Sequence, residues 1–257
     1  TTDTLGSKST AIGRSALQTQ NFTTATDSLN TAVGHSAGIN VTTGVSNTLI
    51  GDRAGDALTD ADNNVAVGQG AITSDTLGSK SVAIGHQALA QQNFTTATDS
   101  HNTAVGASAG TSVTTGTDNT LIGALAGDAL TTGSLNTAVG KNALGSDTKG
   151  SRSIAIGRFA LGTQNFTTAT ETYNVAMGYS AGGGMTTGDQ NTIIGGLAGD
   201  SITNNNQITM LGYNLAASAT SSTSREVVIG SNGTGGGTNT VRFVSSVGIA
   251  TLGLDGS

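Results

Sequence analysis

The 257-residue chain has no cysteine, no proline and no tryptophan, only 3% aromatic residues and only 10% charged ones. Without cysteine there is neither a disulfide framework nor a thiolate metal centre, and the redox compartment stays open. So few aromatics allow a thin aliphatic core and exclude a thick aromatic one. The net charge of −6 contains no basic block, which argues against a nucleic-acid partner. No apolar run approaches the roughly 20 residues of a membrane span, so no membrane insertion is expected. The opening TTDTLGSKST lacks the pattern of a signal peptide and starts in mid-pattern, which reads as a piece of something longer.

What the chain does have is 39 glycines, many Thr, Ser and Asn, and regularly placed β-branched clusters that argue against disorder. Asn102 to Gly110 reads NTAVGASAG, and it returns as NTAVGHSAG from Asn30 and as NVAMGYSAG from Asn174. The glycines that close each short apolar run are Gly13, Gly34, Gly51, Gly68, Gly85, Gly106, Gly123, Gly140, Gly157, Gly178, Gly195, Gly212 and Gly230. Their spacing is 21, 17, 17, 17, repeated with a super-period of 72 until a last step of 18. A fixed period near 17 over thirteen copies predicts a parallel β-solenoid of about 13 coils.

The four extra residues of each long coil fall in QNFTTATDS at Gln20 and Gln92 and in QNFTTATET at Gln164. Phe22, Phe94 and Phe166 in these bulges either tuck inward, the favoured reading, or form exposed knobs. The residue three before each key glycine is β-branched and the residue just before it is large and apolar, so both suit one face of a strand. The column between them is apolar and mostly small: Ala11, Ala32, Ala66, Ala83, Ala104, Ala138, Ala155 and Ala176. A strand apolar on both faces is covered on both. We expect Thr103 and Val105 to fill the coil and the alanine column to meet neighbouring chains in a homotrimer, so that Ala104→Glu breaks the assembly. A second, weaker strand is expected at Val41, Leu58, Val113, Leu130, Met185 and Ile202, followed by a Thr-Thr-Gly turn. Asn at the head of most motifs can bond along a stack of its own kind. Residues 1–216 form the expected roll; residues 217–257 carry the last coil, a Gly-rich connector and a short non-repeat β element.

Chemistry is sparse. His35, His86 and His101 occupy columns that elsewhere hold Arg14, Asp52, Gln69, Lys141 and Tyr179, and behave as variable solvated positions. Asp52, Asp56, Asp60 and Asp62 lack a calcium-loop pattern. Gly182–Gly184 and Gly235–Gly237 follow no phosphate-loop pattern, and no triad or carboxylate pair stands out. No catalytic residue, metal or cofactor is expected.

The repeat NTAVGxxAG…TTG…NTLIGxxAG, with the variant KSVAIGHQAL, resembles the head repeats of trimeric autotransporter adhesins of the YadA type. It is still more similar to the fibre repeats of tailed bacteriophages. The resemblance covers about Ser9 to Gly230 and implies a left-handed, trimeric parallel β-roll that attaches to a host surface. The 17/21 rhythm favours the phage-like branch, because the adhesin heads use shorter coils. SREVVIGSNGTGGGTNTVRF is similar to the segment preceding an endosialidase-type intramolecular chaperone, which would make Ser257 the C-terminus left by chaperone release. The expected role is a virion tail fibre, with other tail proteins met through a missing N-terminal part and a bacterial surface glycan or outer-membrane protein as receptor. The bulges around Phe22, Phe94 and Phe166, and Arg225 and Arg242 in the terminal element, are the candidate contacts. The alternatives are a bacterial trimeric surface adhesin at the cell surface and an ice-binding solenoid.

Overall fold

The structure is a computed structural model and describes residues 3–218, 225–245 and 248–253. The chain forms two compact units, Thr1–Gly133 and Ser134–Ser257. Both are all-β parallel solenoids, and no helix occurs among the described residues. In the first unit seven strands stack in parallel: Thr10–Ile12, Thr31–Val33, Thr48–Ile50, Val65–Val67, Val82–Ile84, Thr103–Val105 and Thr120–Ile122. The second unit has seven more: Thr137–Val139, Ile154–Ile156, Val175–Met177, Thr192–Ile194, Thr209–Ala216, Val227–Thr234 and Thr240–Ser245. That is about 14 turns against the 13 expected. The additional turn comes from Thr240–Ser245, which joins the parallel ladder with Val241 opposite Val227. Gly248–Gly253 then runs back antiparallel to it.

Every register aligns the same motif positions, Thr31 with Thr48, Ala32 with Leu49 and Val33 with Ile50 in one typical pair. The inside and outside of these strands are the reverse of the expectation. Ala32, Ala66, Ala83, Ala104, Ala138, Ala155 and Ala176 have no exposed surface within the single chain, so this column cannot be the contact between chains. Only Ala11, in the first coil and covered from one side alone, is exposed. The flanking columns face outward: Ile50, Ile84, Ile122 and Met177 are 38–40% exposed and Leu211 48%. The cause is the width of the coil. Only the middle residue of each three-residue strand points in, and the space behind it is narrow.

That space is filled by compensation between two columns, within a coil or, at Ala32 with Gly38 and Ala104 with Gly110, by leucines reaching in from the coils on either side, as Leu17 and Leu49 do at Gly38. Where the middle residue is large, as at Leu49, Leu121 and Ile193, the position six residues on is Gly55, Gly127 or Gly199. A Cβ on Gly55 would lie 2.7 Å from Leu49 Cδ2. Where the middle residue is Ala83 or Ala155, the same position is Leu89 or Leu161, fully buried. Leu58, Leu130, Met185 and Ile202 line the opposite wall and are also buried. The weaker strand expected on that wall is not formed; those residues sit in turns and irregular segments. The inter-coil hydrogen bonds continue there all the same, with Thr42 N–H donating to the Thr59 carbonyl (2.9 Å) and Thr59 N–H to Thr76 (3.0 Å).

Asparagine binds the coils together from inside. Asn30, Asn47, Asn64, Asn102 and Asn119 in the first unit, and Asn136, Asn174 and Asn191 in the second, have no exposed surface. The Asn47 backbone N–H donates to Asn30 Oδ1 (2.9 Å) and the Asn64 N–H to Asn47 Oδ1 (3.0 Å). Each Nδ2 reaches a turn carbonyl, as Asn102 does to Gly116 (2.7 Å). A side-chain amide thus satisfies a donor and an acceptor that the coil geometry would otherwise bury unpaired. Glu226 stands in the same column and is equally buried, its carboxylate accepting from the Ser218 and Gly237 amides.

Candidate binding surface

The long coils carry the four extra residues outward and pin them from beneath. Phe22, Phe94 and Phe166 are only 5–7% exposed, so the rings anchor the bulge and are not themselves contacts. The exposed residues are the ones that follow, Thr23 to Ala25, Thr95 to Ala97 and Thr167 to Ala169. The bulge returns through a two-stranded parallel ladder, Gly78–Ser79 with Thr98–Asp99, and its counterparts Gly6–Ser7 with Thr26–Asp27 and Gly150–Ser151 with Thr170–Glu171.

Under each bulge lies a buried polar chain that sequence reading missed. Gln92 Nε2 donates to Asp75 Oδ2 (2.6 Å), and Gln92 Oε1 accepts from Asn102 Nδ2 (2.9 Å). Asp75 Oδ1 accepts from the Gly78 and Phe94 amides, and the Ser81 and Ser100 hydroxyls bond each other. Asp147, Gln164, Ser153, Thr172 and Asn174 repeat the arrangement, as do Asp3, Gln20, Ser9, Ser28 and Asn30. At Asp3, desolvation pushes the pKa up. The bonds from the Gln20 side chain and the Gly6, Phe22 and Leu5 amides outweigh it and hold the carboxyl below its ordinary value. The 72-residue recurrence of Asp, Ser and Gln was the available signal.

Above each bulge base sits one exposed ion pair: Lys8 to Asp27 (2.6 Å), Lys80 to Asp99 (2.5 Å) and Arg152 to Glu171 (3.0 Å). The Lys8 hydrogen bond lowers the Asp27 pKa. At the third, Tyr173 donates its phenol hydrogen to Glu171 Oε2 (2.6 Å), which lowers the Glu171 pKa and raises that of Tyr173.

Asp52, Asp56, Asp60 and Asp62 do not converge. Asp52 faces His35 Nδ1 (2.9 Å), whose hydrogen bond lowers its pKa. Asp56 accepts from Thr73 Oγ1 (2.5 Å), Asp60 from Thr43 Oγ1 (2.6 Å) and Asp62 from the Val45 amide (2.7 Å). His101 lies 3.7 Å from Asp118, and His86 borders a shallow polar depression with Asp52, Arg53, Gln69 and Gln87. Asp128, half-buried, has its pKa raised by desolvation.

Arg242 is an internal strut. Its Nη1 donates to the Thr234 and Gly235 carbonyls, 2.7 Å each, so it is held against the backbone of its own unit and is not a free contact. Arg225 is exposed, with Nε bonded to Gln207 Oε1 (2.8 Å). Ser257 lies outside the described residues.

One surface column of the second unit differs from all others. The residues just after the key glycines, Lys141, Arg158, Tyr179, Gly196 and Tyr213, stack on five successive turns. Consecutive inter-coil bonds fix them: Phe159 N–H to the Lys141 carbonyl (3.1 Å), Ser180 to Arg158 (2.9 Å), Leu197 to Tyr179 (2.8 Å) and Asn214 to Gly196 (2.9 Å). Tyr179 is 50% exposed and Tyr213 54%. The Arg158 guanidinium lies 4.7 Å from the Phe159 ring centre and 5.8 Å from that of Tyr179. Aromatic residues in a variable column that otherwise holds charged, polar or small residues were the sequence signal, which the histidine comparison passed over.

Together these features define a parallel β-solenoid with a polar-pinned bulge on every fourth coil, an apolar outer strand face and one aromatic, basic column. Comparison with protein-family models, with curated proteins and with solved structures finds no match to the chain.

Proposed function

We propose that this chain is the shaft and receptor-presenting part of a trimeric attachment fibre, of the tail-fibre kind that its repeat resembles. The observation that carries the reading is the outer strand face. Val33, Val67, Val105, Val139, Ile156 and Ile194 are half-buried in the single chain, and beside them lie the more exposed Ile50, Ile84, Ile122 and Met177. A partner covering these side chains would gain on the order of 1 kcal/mol for each that it buries. A second and third copy supply such a cover at the same register, because the stripe repeats with the coil. We read the roll as left-handed and the bulges as the parts presented outward, with a bacterial surface molecule as the receptor. A bacterial surface adhesin is the second reading. A membrane-anchor barrel in the same gene would establish the adhesin, and a chaperone domain after Ser257 the fibre.

Sedimentation equilibrium at micromolar concentration tests the assembly. The expected mass is three times the 25.1 kDa of the chain. Ile122→Asp, on the outer face, should shift the mass toward one chain with the circular dichroism spectrum retained, whereas Ala104→Glu should lose the folded spectrum itself. A monodisperse wild-type species of one chain overturns the proposal.

A further inference from the structure

We propose that the column Arg158, Tyr179, Gly196 and Tyr213 is a binding site for an acidic oligosaccharide, a chain of uronate or similarly carboxylated pyranoses. The inference deepens the attachment reading, since it names a ligand class and the residues that take it.

The geometry has three parts. Tyr179 and Tyr213 are both half exposed and stand two turns apart in one column, which at about 4.8 Å per turn places them roughly 10 Å from each other. Gly196 lies between them without a side chain, and the Tyr213 ring leans over it, near enough that a Cβ there would meet the ring at 3.6 Å. The two half-exposed rings, two turns apart, stand at a spacing of roughly 10 Å that suits alternate units of a linked pyranose chain. Sugar rings present apolar C–H faces to such side chains, and the phenol hydroxyls remain free to bond the sugar hydroxyls.

The charge comes from the same column. Arg158 is exposed and forms no ion pair among the described residues, in contrast to Arg152, which Glu171 engages. Its guanidinium lies against the Phe159 and Tyr179 rings, and these contacts narrow the side-chain freedom that binding would cost. Lys141, one turn further, is exposed and also without an ion pair among the described residues. Two uncompensated cations in line with two exposed rings select a polymer that is both carbohydrate and anionic. A planar fork such as Arg158 bonds a carboxylate bidentately. On a protein with a net charge of −6, this is a local reversal of sign.

Isothermal titration calorimetry with tetragalacturonate and with a mannuronate tetramer tests the site, with maltotetraose as the neutral counterpart. At least one acidic tetramer should bind, and bind about tenfold or more tighter than maltotetraose, with the difference shrinking as salt is raised. Tyr213→Ala should weaken binding of the acidic tetramer by about tenfold, a loss of one stacking partner. Arg158→Gln should reduce the preference over maltotetraose with the circular dichroism spectrum unchanged. The chain has three tyrosines and no tryptophan, so quenching of its tyrosine emission by the sugar gives a second readout. No heat with either acidic tetramer overturns the proposal. A change of sedimenting mass in Tyr213→Ala or Tyr179→Ala also overturns it, by assigning these rings to contact between copies. Failure of the trimer alone leaves the saccharide result standing, so the two readings fail separately.

Discussion

Gly106→Ala should lower stability by roughly 2–6 kcal/mol in a urea titration, combining about 1–3 for the backbone conformation with a further 1–3 for the collision. Gly106 has φ of 141°, a region that side-chain-bearing residues rarely enter. A Cβ there would stand 2.6 Å from the carbonyl carbon and oxygen of Gly123 on the next turn. That neighbour is backbone, so no rotamer change relieves the contact. It is also held, since Gly106 N–H bonds the Ile84 carbonyl (2.8 Å) and Gly123 N–H the Val105 carbonyl (2.7 Å). The substitution must therefore separate two turns or flatten the corner. Gly70→Ala is the control. Gly70 has φ of 63°, and the nearest atom to a Cβ there is Gln87 Cγ at 3.7 Å. Ser36, Arg53 and Ser108 adopt φ of 54–56° in the same column. Its expected cost is no more than about 1 kcal/mol. Equal effects at the two sites would show that the key glycine is not set by inter-coil contact.

Asn102→Ala should cost roughly 2–6 kcal/mol, because it strands two buried backbone groups at about 1–3 kcal/mol each. Asn102 Oδ1 accepts from the Asn119 backbone N–H (3.0 Å) and from Asn119 Nδ2 (3.2 Å). Its Nδ2 donates to the Gly116 carbonyl (2.7 Å) and to Gln92 Oε1 (2.9 Å). All four partners lie inside the coil, where water cannot replace the lost group. The last of them ties the ladder to the polar chain beneath the bulge, so the bulge stretch QNFTTATDS should loosen as well. Hydrogen exchange would report this as faster exchange at the Asn119 and Phe94 amides. Asn40→Ala removes an exposed bond to the Asp56 carbonyl (2.8 Å) and should cost less than about 1 kcal/mol. A loss at Asn102 no larger than at Asn40 would refute the structural role given to the ladder.

Much of the architecture was legible in the spacing. The 17 and 21 rhythm gives a stack of turns, the β-branched positions place the strands, and the turn glycines place the corners. The repeat left the phenylalanines either tucked, the favoured reading, or exposed as contacts, and they are tucked. The sign of the two strand faces did not. Alternation assigns Thr103 and Val105 to one side and Ala104 to the other, but it does not say which side is inside. Residue size misled, since larger side chains suggest a core, and a three-residue strand in a narrow coil buries the small one. A correlation between columns carried the answer: Leu49 with Gly55 and Leu121 with Gly127, against Ala83 with Leu89 and Ala155 with Leu161. Two columns that trade volume, within a coil or with the adjacent coils as at Ala32 and Gly38, share one cavity. The wall at Val41, Leu58 and Val113 was correctly apolar, yet apolarity alone does not make a strand, and turn geometry holds it instead.

The candidate contacts fared unevenly for a related reason. A bulge looks like a knob in one dimension, whereas Gln92 and Asp75, 17 residues apart and in contact through a 2.6 Å bond, fasten it from below. Arg242 read as a free cation because its carbonyl partners, Thr234 and Gly235, lie at the end of the preceding strand and just beyond it, where the sequence does not specify the path of the chain. The aromatic column is spread over more than 70 residues of sequence and becomes one surface only when the turns are stacked.

The central claim is that the middle residue of each motif faces in and its neighbours face a second copy. The chain has no cysteine of its own, so single-cysteine variants can be oxidised and read without background. Ile122→Cys should give covalently linked pairs of chains at micromolar protein, and Ala104→Cys, fully buried in its own coil, should give none. Linked pairs from Ala104→Cys with none from Ile122→Cys would contradict the account and return the interface to the alanine column.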